Sequence, residues 1–176
     1  MRPPVVTLAG RHSAPVFAAL HALCFPGEAW GQQPMADLLS TPGTLGFLLN
    51  GPGSADEPDG LALVRLALDE AEILTFGVKP EVRGRGRAGQ LLDIMLETLA
   101  ERGIREVFLE VAVDNFPARK LYGLRGFFEI GRRVGYYVRG SGACVDALRL
   151  KHVIASRAMV AGETDSSGKL DHGPDK

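Results

Sequence analysis

Val78-Lys79-Pro80-Glu81-Val82-Arg83-Gly84-Arg85-Gly86-Arg87-Ala88-Gly89-Gln90-Leu91-Leu92 reads as a strand ending in a glycine- and arginine-rich loop that runs straight into an amphipathic helix. Glycines at 84 and 86 let the backbone turn several N–H groups toward one point. The start of the helix adds unpaired N–H groups and the positive end of its dipole. Arg83, Arg85 and Arg87 bring mobile positive charge to the same place. Such a loop is suited to an anion, above all a pyrophosphate; the plainer reading is a solvated basic turn.

Two familiar phosphate loops do not fit. Gly84-Arg85-Gly86 is followed by Gly89, but no acidic residue ends the next strand where a dinucleotide fold needs one. No Gly-Lys-Ser or Gly-Lys-Thr follows, which excludes a P-loop. The segment Arg83 to Ala88 instead satisfies Gln/Arg-x-x-Gly-x-Gly/Ala.

Working outward, Glu72 to Val78 is expected as the strand before the loop, after a tight turn at Asp69-Glu70. Gly77 within Phe76-Gly77-Val78 suggests a bulge. The helix after the loop lines up Leu91, Leu92, Met95, Leu96 and Leu99, and Gly103 ends it. Val107, Leu109, Val111 and Val113 alternate as a strand. Asn115 is placed to cap a helix with Pro117 in its first turn. Phe127 to Val138 and Ala143 to Lys151 form a closing hairpin. Toward the N-terminus, Val5 to Leu8 reads as a strand, Ser13 as the cap of a helix to Cys24, and Met35 to Leu39 as a second helix. Leu45–Leu49 and Leu61–Leu68 then pair antiparallel around a polar loop at 50–60. The fold class is α+β, with a mixed, mostly antiparallel sheet and helices on both faces. Residues 1–154 are expected to form one domain, and 155–176 a disordered tail.

At 176 residues and 45% hydrophobic content the chain can bury one core without a second domain. A net charge of −1 argues against general nucleic-acid binding. Cys24 and Cys144 can build neither a disulfide framework nor a zinc site alone, and His12, His21 and His152 are scattered; no metal is expected. The N-terminal apolar run is too short for a signal peptide, and no stretch has transmembrane length, so a cytoplasmic protein without membrane partners is expected.

The order of elements from about Glu70 to Tyr137 resembles the GNAT superfamily of acetyl-CoA-dependent N-acetyltransferases. Within it the chain is similar to the RimI type, which acetylates the N-terminal alanine of a small-subunit ribosomal protein. Leu109-Glu110-Val111, Asn115, Leu121-Tyr122-x-x-x-Gly126-Phe127 and Arg132-Arg133 before Tyr136-Tyr137 carry that closer likeness. The resemblance implies a splayed central strand pair with CoA entering the gap. The N–H groups of Arg85, Gly86, Arg87 and Ala88, with the Arg83-Gly84 turn, would cradle its pyrophosphate. Val78 and the Phe76 segment would align the pantetheine arm, and Asn115 would bond it.

Glu110 corresponds to the catalytic base of this type, and a carboxylate in an apolar strand needs a partner or a task. A salt bridge to a nearby arginine would be such a partner. Glu72 is the rival, because other branches carry their base on the strand before the loop. Tyr122 would give a proton to the CoA sulfur; otherwise it is a core aromatic. Trp30, Tyr136 and Tyr137 would border the acceptor, although alternation along a strand lets only one of the two tyrosines face it.

The chain departs from the type at Gly84 and Arg87, at Gly27-Glu28-Ala29 before Trp30, at Gly31, and at the extra Val134-Gly135. The expected partners are acetyl-CoA and a peptide or protein N-terminus, with a monomer or weak dimer as the assembly. A small amine or lysine acceptor with Glu72 as base is the alternative, and a non-catalytic CoA-binding module a further one. A groove that reads a basic ribosomal N-terminus is expected to be lined by acidic residues.

Overall fold

The computed structural model describes residues 5–51, 57–138, 140 and 142–155. The expected tail from 156 onward lies outside them, as do 52–56 of the polar loop and Arg139 and Ser141 of the closing turn. The elements run β1 (Val5–Ala9), α1 (Ala14–Cys24), α2 (Gln32–Ser40), β2 (Thr44–Asn50), β3 (Pro58–Ala67), β4 (Glu70–Val78), α3 (Arg87–Glu101), β5 (Glu106–Ala112), α4 (Phe116–Gly123), β6 (Phe128–Val138) and β7 (Cys144–Val153). Seven strands make one sheet in the order β1-β2-β3-β4-β5-β7-β6. Among the described residues only the central β4–β5 pair is parallel, and its crossover is α3.

Alternation along the strands sorts the core onto two faces. Ala62 and Val64 of β3 join Phe47 and Leu49 against Leu91, Leu92, Met95 and Leu99 of α3, with Tyr122 of α4 in the same cluster. Leu61 and Leu63 point the other way, with Leu48, onto Phe17, Leu20 and Met35 of α1 and α2. The sheet is therefore covered by helices on both sides.

Several boundaries differ from expectation for local reasons. The helix α2 starts at Gln32 rather than Met35, because Pro34 sits within the first turn, where its missing N–H leaves no helical bond unmade. Ser13 occupies the cap position of α1, but its side chain makes no capping bond; a 3-10 turn over Arg11–Ser13 leads in instead. Asn115 does cap α4, its Oδ1 accepting from the Ala118 N–H at 3.2 Å. Residues 58–60, expected as loop, already belong to β3.

Gly46 marks the tightest helix-on-sheet contact. A Cβ there would lie 2.6 Å from the Ala9 carbonyl oxygen, 2.7 Å from Leu39 Cδ2 and 2.8 Å from Phe17 Cζ. All three neighbours are held in the fold. Gly46→Ala is therefore expected to destabilise the protein by about 1–3 kcal/mol through overpacking, despite alanine's smaller loss of chain entropy. A lower urea midpoint at unchanged slope is the expected reading; an unchanged midpoint would show that α1 and α2 can retreat.

Candidate active site

The bulge in β4 lies at Leu74 rather than at Gly77. Leu63 pairs with Thr75 but Val64 pairs with Ile73, which leaves Leu74 as the extra residue. The consequence is a change of phase. Ala71 and Ile73 face α3 before the bulge, and Phe76 and Val78 do so after it. Gly77 serves a different purpose: a Cβ there would stand 3.1 Å from Cys24 Cβ and from two Phe25 ring atoms. The glycine lets the end of α1 close onto the strand. Burial pushes the Cys24 thiol up to about 11, so this cysteine is an inert part of the core, and both cysteines are free.

The two central strands touch only briefly. Glu70, Ala71 and Glu72 pair with Glu106, Val107 and Phe108, whereas β5 continues to Ala112 paired with β7 alone. Beyond Glu72, β4 and β5 part, which is the splay expected of the central pair.

After Val78, the Lys79 N–H donates to the Asp59 carbonyl at 2.8 Å and a 3-10 turn spans Pro80–Val82. Gly84 and Gly86 then both adopt the left-handed backbone, with φ of 71° and 76°. Gly86 is the N-cap residue of α3 and no side chain caps that end. Alternating hands of this kind turn successive N–H groups into one concavity, and a Cβ at either glycine would meet open space.

The arginines of this loop are less alike than the sequence suggests. Arg83 donates to the Cys24 carbonyl at 3.2 Å. Arg87 lies 3.5 Å from the Asp59 carboxylate, with its side chain largely buried, and reaches Gln90 Oε1 at 3.2 Å. Two of the three thus brace the loop through their side chains; Arg83 and Arg85 are both exposed, and Arg87, taken as a whole residue, is half-buried.

Tyr122 is buried in the α3-side cluster. Its ring meets Phe76 edge-on at 6.1 Å and Phe127 at 5.4 Å. Burial, with a smaller contribution from nearby Tyr137, pushes the phenol above its ordinary range.

On the opposite face a groove of about 480 Å3 is lined by Glu72, Phe108, Leu109, Glu110, Gly131, Arg132, Arg133 and Arg149. The alternation of β5 explains Glu110: Val107, Leu109 and Val111 go into the α3-side core, so Glu106, Phe108 and Glu110 face away. The Glu110 carboxylate accepts from Arg133 Nη1 at 3.1 and 3.2 Å, and Arg149 Nε lies 3.9 Å away. The arginine partner considered from sequence is therefore present. The Glu72 side chain shares the groove without an ion pair or hydrogen bond among the described residues.

The lining differs from the acidic one expected for a basic acceptor, since three arginines accompany two glutamates. Arg132 pairs with Leu148, whose side chain is in the α3-side core, and its guanidinium is engaged on that face, 3.5 Å from Asp146 and 3.9 Å from Glu129.

Tyr136 and Tyr137 do not simply alternate. The β6–β7 register slips between Arg133 and Tyr137, with Gly135 left-handed at φ 63° and its N–H donating to Asp146 Oδ1 at 2.9 Å. At this bulge the two rings meet at 5.1 Å, and the Arg133 guanidinium lies 4.0 Å above Tyr136. One guanidinium thus joins Tyr136 to Glu110.

Trp30 stands apart on the segment after α1, stacked on His21 at 4.8 Å. The Trp30 N–H donates to His21 Nδ1 at 3.2 Å, and burial holds the imidazole below its usual range. His21, read from sequence as an ordinary residue, is the post that fixes the Phe25–Trp30 segment. Its i, i+4 spacing to Phe25 was the available signal.

The structure thus gathers Glu72 and Glu110 on one face and Phe76 and Tyr122 on the other, beside a splayed strand pair, with the glycine nest leading into α3. It leaves Trp30 outside that groove. Among the described residues no three His, Cys, Asp or Glu side chains gather into a metal-binding group, and no helix is long and apolar enough to cross a membrane.

Comparison with known proteins places this geometry in context. The model of the acetyltransferase (GNAT) family matches residues 17–127. The ribosomal protein bS18-alanine N-acetyltransferase of Haemophilus ducreyi is 34% identical over 116 residues, which are 61% of this chain and 80% of that relative. In fold, the crystal structure of the ribosomal-protein-S18-alanine N-acetyltransferase from Escherichia coli matches with a TM-score of 0.78 at 24% identity, over 92% of this chain and 98% of that one. Arabidopsis thaliana NAA60 in complex with acetyl-CoA matches with a TM-score of 0.73 at 18% identity, over 86% of this chain and 99% of that one.

Proposed function

The chain belongs to the acetyltransferase (GNAT) family, and from that premise we propose that it moves the acetyl group of acetyl-CoA onto the N-terminal α-amine of a protein. The relative named for alanine N-acetylation of ribosomal protein bS18 supports a ribosomal acceptor and, with it, a cytoplasmic setting. One observation supports this mechanism most directly: the β4–β5 pairing stops at Glu72–Phe108, with the carboxylates of Glu72 and Glu110 on one side of the gap and Tyr122 on the other.

In this reading the nest at Gly84 and Gly86 and the first N–H groups of α3 take the CoA pyrophosphate, with Arg85 free to close over it. The parted edge of β4 around Phe76 and Val78 receives the pantetheine arm, and Asn115 meets it while capping α4. The amine attacks the thioester carbonyl directly in a ternary complex. Glu110, held by Arg133, receives the amine proton, directly or through water, and the Tyr122 phenol donates to the departing sulfur. Tyr136 and Tyr137 border the acceptor on one side, and Trp30 supports the wall beyond. Residues 1–154 are taken as one acetyltransferase domain.

The second reading keeps the chemistry with Glu72 as base and a small amine or lysine as acceptor. It draws support from one fact: among the described residues the Glu72 side chain has no ion pair, whereas Glu110 already has arginine partners.

A panel of acceptors separates the readings. Thiol release from acetyl-CoA is followed with an alanine-starting peptide beside polyamines, aminoglycosides and internal-lysine peptides. Turnover confined to the peptide α-amine supports the first reading, and turnover only on small amines or lysine replaces it with the second.

The phosphate cradle makes its own prediction. Gly86→Ala forces a left-handed alanine, at a cost of about 1–2 kcal/mol, and pulls N–H groups out of the nest. A severalfold rise in KM for acetyl-CoA with a smaller change in kcat is expected; an unchanged KM would place the pyrophosphate elsewhere.

A further inference from the structure

We infer that Arg125 is a positioning residue: its guanidinium, seated over Gly89 and anchored on Asp93, sets where α4 presents the Tyr122 phenol relative to the phosphate nest of α3. This deepens the acetyl-transfer reading above and rests on it. Gly89 follows the two nest glycines, but unlike them it is buried. It lies in the first turn of α3, where glycine is a weaker helix former than alanine. A Cβ there would run into Arg125 Nη2 and stand 3.1 Å from its Cζ. The missing side chain is thus the space the guanidinium occupies. One helical turn on, the Asp93 carboxylate accepts two bonds from it, Nε to Oδ1 at 2.6 Å and Nη2 to Oδ2 at 3.1 Å. A side-by-side pair of this kind fixes direction as well as distance.

Arg125 stands two residues beyond the end of α4, and short backbone bonds tie it to Tyr122. The Tyr122 carbonyl accepts from the Arg125 N–H at 2.9 Å and from the Phe127 N–H at 3.1 Å, and Gly126 between them is left-handed at φ 76°. Phe127 then packs its ring against that of Tyr122 at 5.4 Å. A guanidinium held on α3 therefore holds the turn, and the turn holds the phenol. At the other end, Gly89 is three residues past Gly86, the N-cap of α3. The clamp spans the two parts of the site: the head of the helix that takes the anion and the helix that carries the proton donor. Its worth to stability is small, since the Asp93 side chain is 52% exposed and exposed ion pairs contribute little. What it supplies is geometry, and a displacement on the order of 1 Å can cost a reaction roughly a hundredfold.

The test measures kcat and KM for acetyl-CoA by thiol release, with the alanine-starting peptide or, where only small amines turn over, with a polyamine. Arg125→Ala and Gly89→Ala are each expected to lower kcat by about tenfold and to leave KM for acetyl-CoA within about twofold. Gly89→Ala carries the distinguishing readout, because alanine favours the helix and the guanidinium, the free end of a flexible side chain, can swing aside. Its urea midpoint is expected to hold or rise while kcat falls, which a merely structural brace would not do. Adding Gly89→Ala to Arg125→Ala is expected to cost nothing further. In a Tyr122→Phe background Arg125→Ala is expected to cost little, because it acts through that phenol. Unchanged kcat in Arg125→Ala, or a Gly89→Ala loss that persists in full without Arg125, would overturn the clamp and leave the acetyl-transfer reading standing. Full activity in Tyr122→Phe would overturn the clamp and the proton-donor reading together.

Discussion

Replacing Tyr122 by phenylalanine lowers kcat by roughly a hundredfold or more, the size of contribution a positioned proton donor makes, with little change in KM for acetyl-CoA. The expectation rests on what else the hydroxyl could do. The ring packs on Phe76 and Phe127, and phenylalanine keeps that packing, so the fold loses little. On the proposed mechanism, what disappears is the proton donated to the leaving sulfur. Burial keeps that proton in place, because the folded phenol sits above its ordinary value of 10.0.

The same shift has a stability consequence with a definite sign. In the unfolded chain the phenol ionises near pH ~10, and in the folded protein it stays protonated beyond that. Its contribution is therefore complete below pH ~10 and declines as pH rises further. Tyr122→Phe should remove that part of the alkaline loss. Unfolding curves between neutral pH and strongly alkaline pH check it, and full activity in the variant would remove Tyr122 from the mechanism.

Glu110→Gln is the second large effect. It keeps the shape and one hydrogen-bond acceptor for Arg133 but cannot take the amine proton. At neutral pH a loss in kcat/KM of roughly a hundredfold is expected. The loss should depend on pH in a way that also reports the acceptor. An α-amine, with a pKa of about 7.7–8.0, becomes neutral unaided above pH ~8, so the deficit shrinks there. A lysine at about 10.4 remains mostly protonated, and its deficit persists. Glu72→Gln should cost less than Glu110→Gln with a peptide acceptor. The opposite ranking would transfer the base to Glu72 and favour the second reading.

These expectations depend on features that were unequally visible in the sequence. Local signals carried far. The Val107-to-Val113 alternation gave β5 and put Glu110 on the face away from the core. Asn115 with Pro117 gave the start of α4, and the glycines at 84 and 86 gave the turn into α3. Each is written in a few adjacent residues. What stayed hidden depends on distant partners. Leu74 becomes the bulge only through its pairing with β3, so Gly77 was a false signal whose real role is contact with Phe25.

Arg87 looked like a mobile ligand for an anion, but Asp59, from the start of β3, claims it. Arg133 was noted as part of a motif, and its grip on Glu110 follows from the β6 register shift between Glu129 and Gly131, which puts Gly131 opposite Arg149 and Arg133 on the same face. A second irregularity, between Arg133 and Tyr137, lets Tyr136 and Tyr137 touch, against the plain alternation of a strand. The charge balance of the groove was not legible at all, because Glu72, Glu110, Arg132, Arg133 and Arg149 converge from four strands.

The most direct test of the central claim is mass spectrometry of an alanine-starting peptide incubated with acetyl-CoA and the protein, with fragmentation to locate the added group. The account predicts one acetyl group on the α-amine, formed in step with free CoA thiol and strongly reduced by Tyr122→Phe and by Glu110→Gln. A peptide that stays unmodified while small amines are acetylated, or one modified only on a lysine side chain, would contradict it.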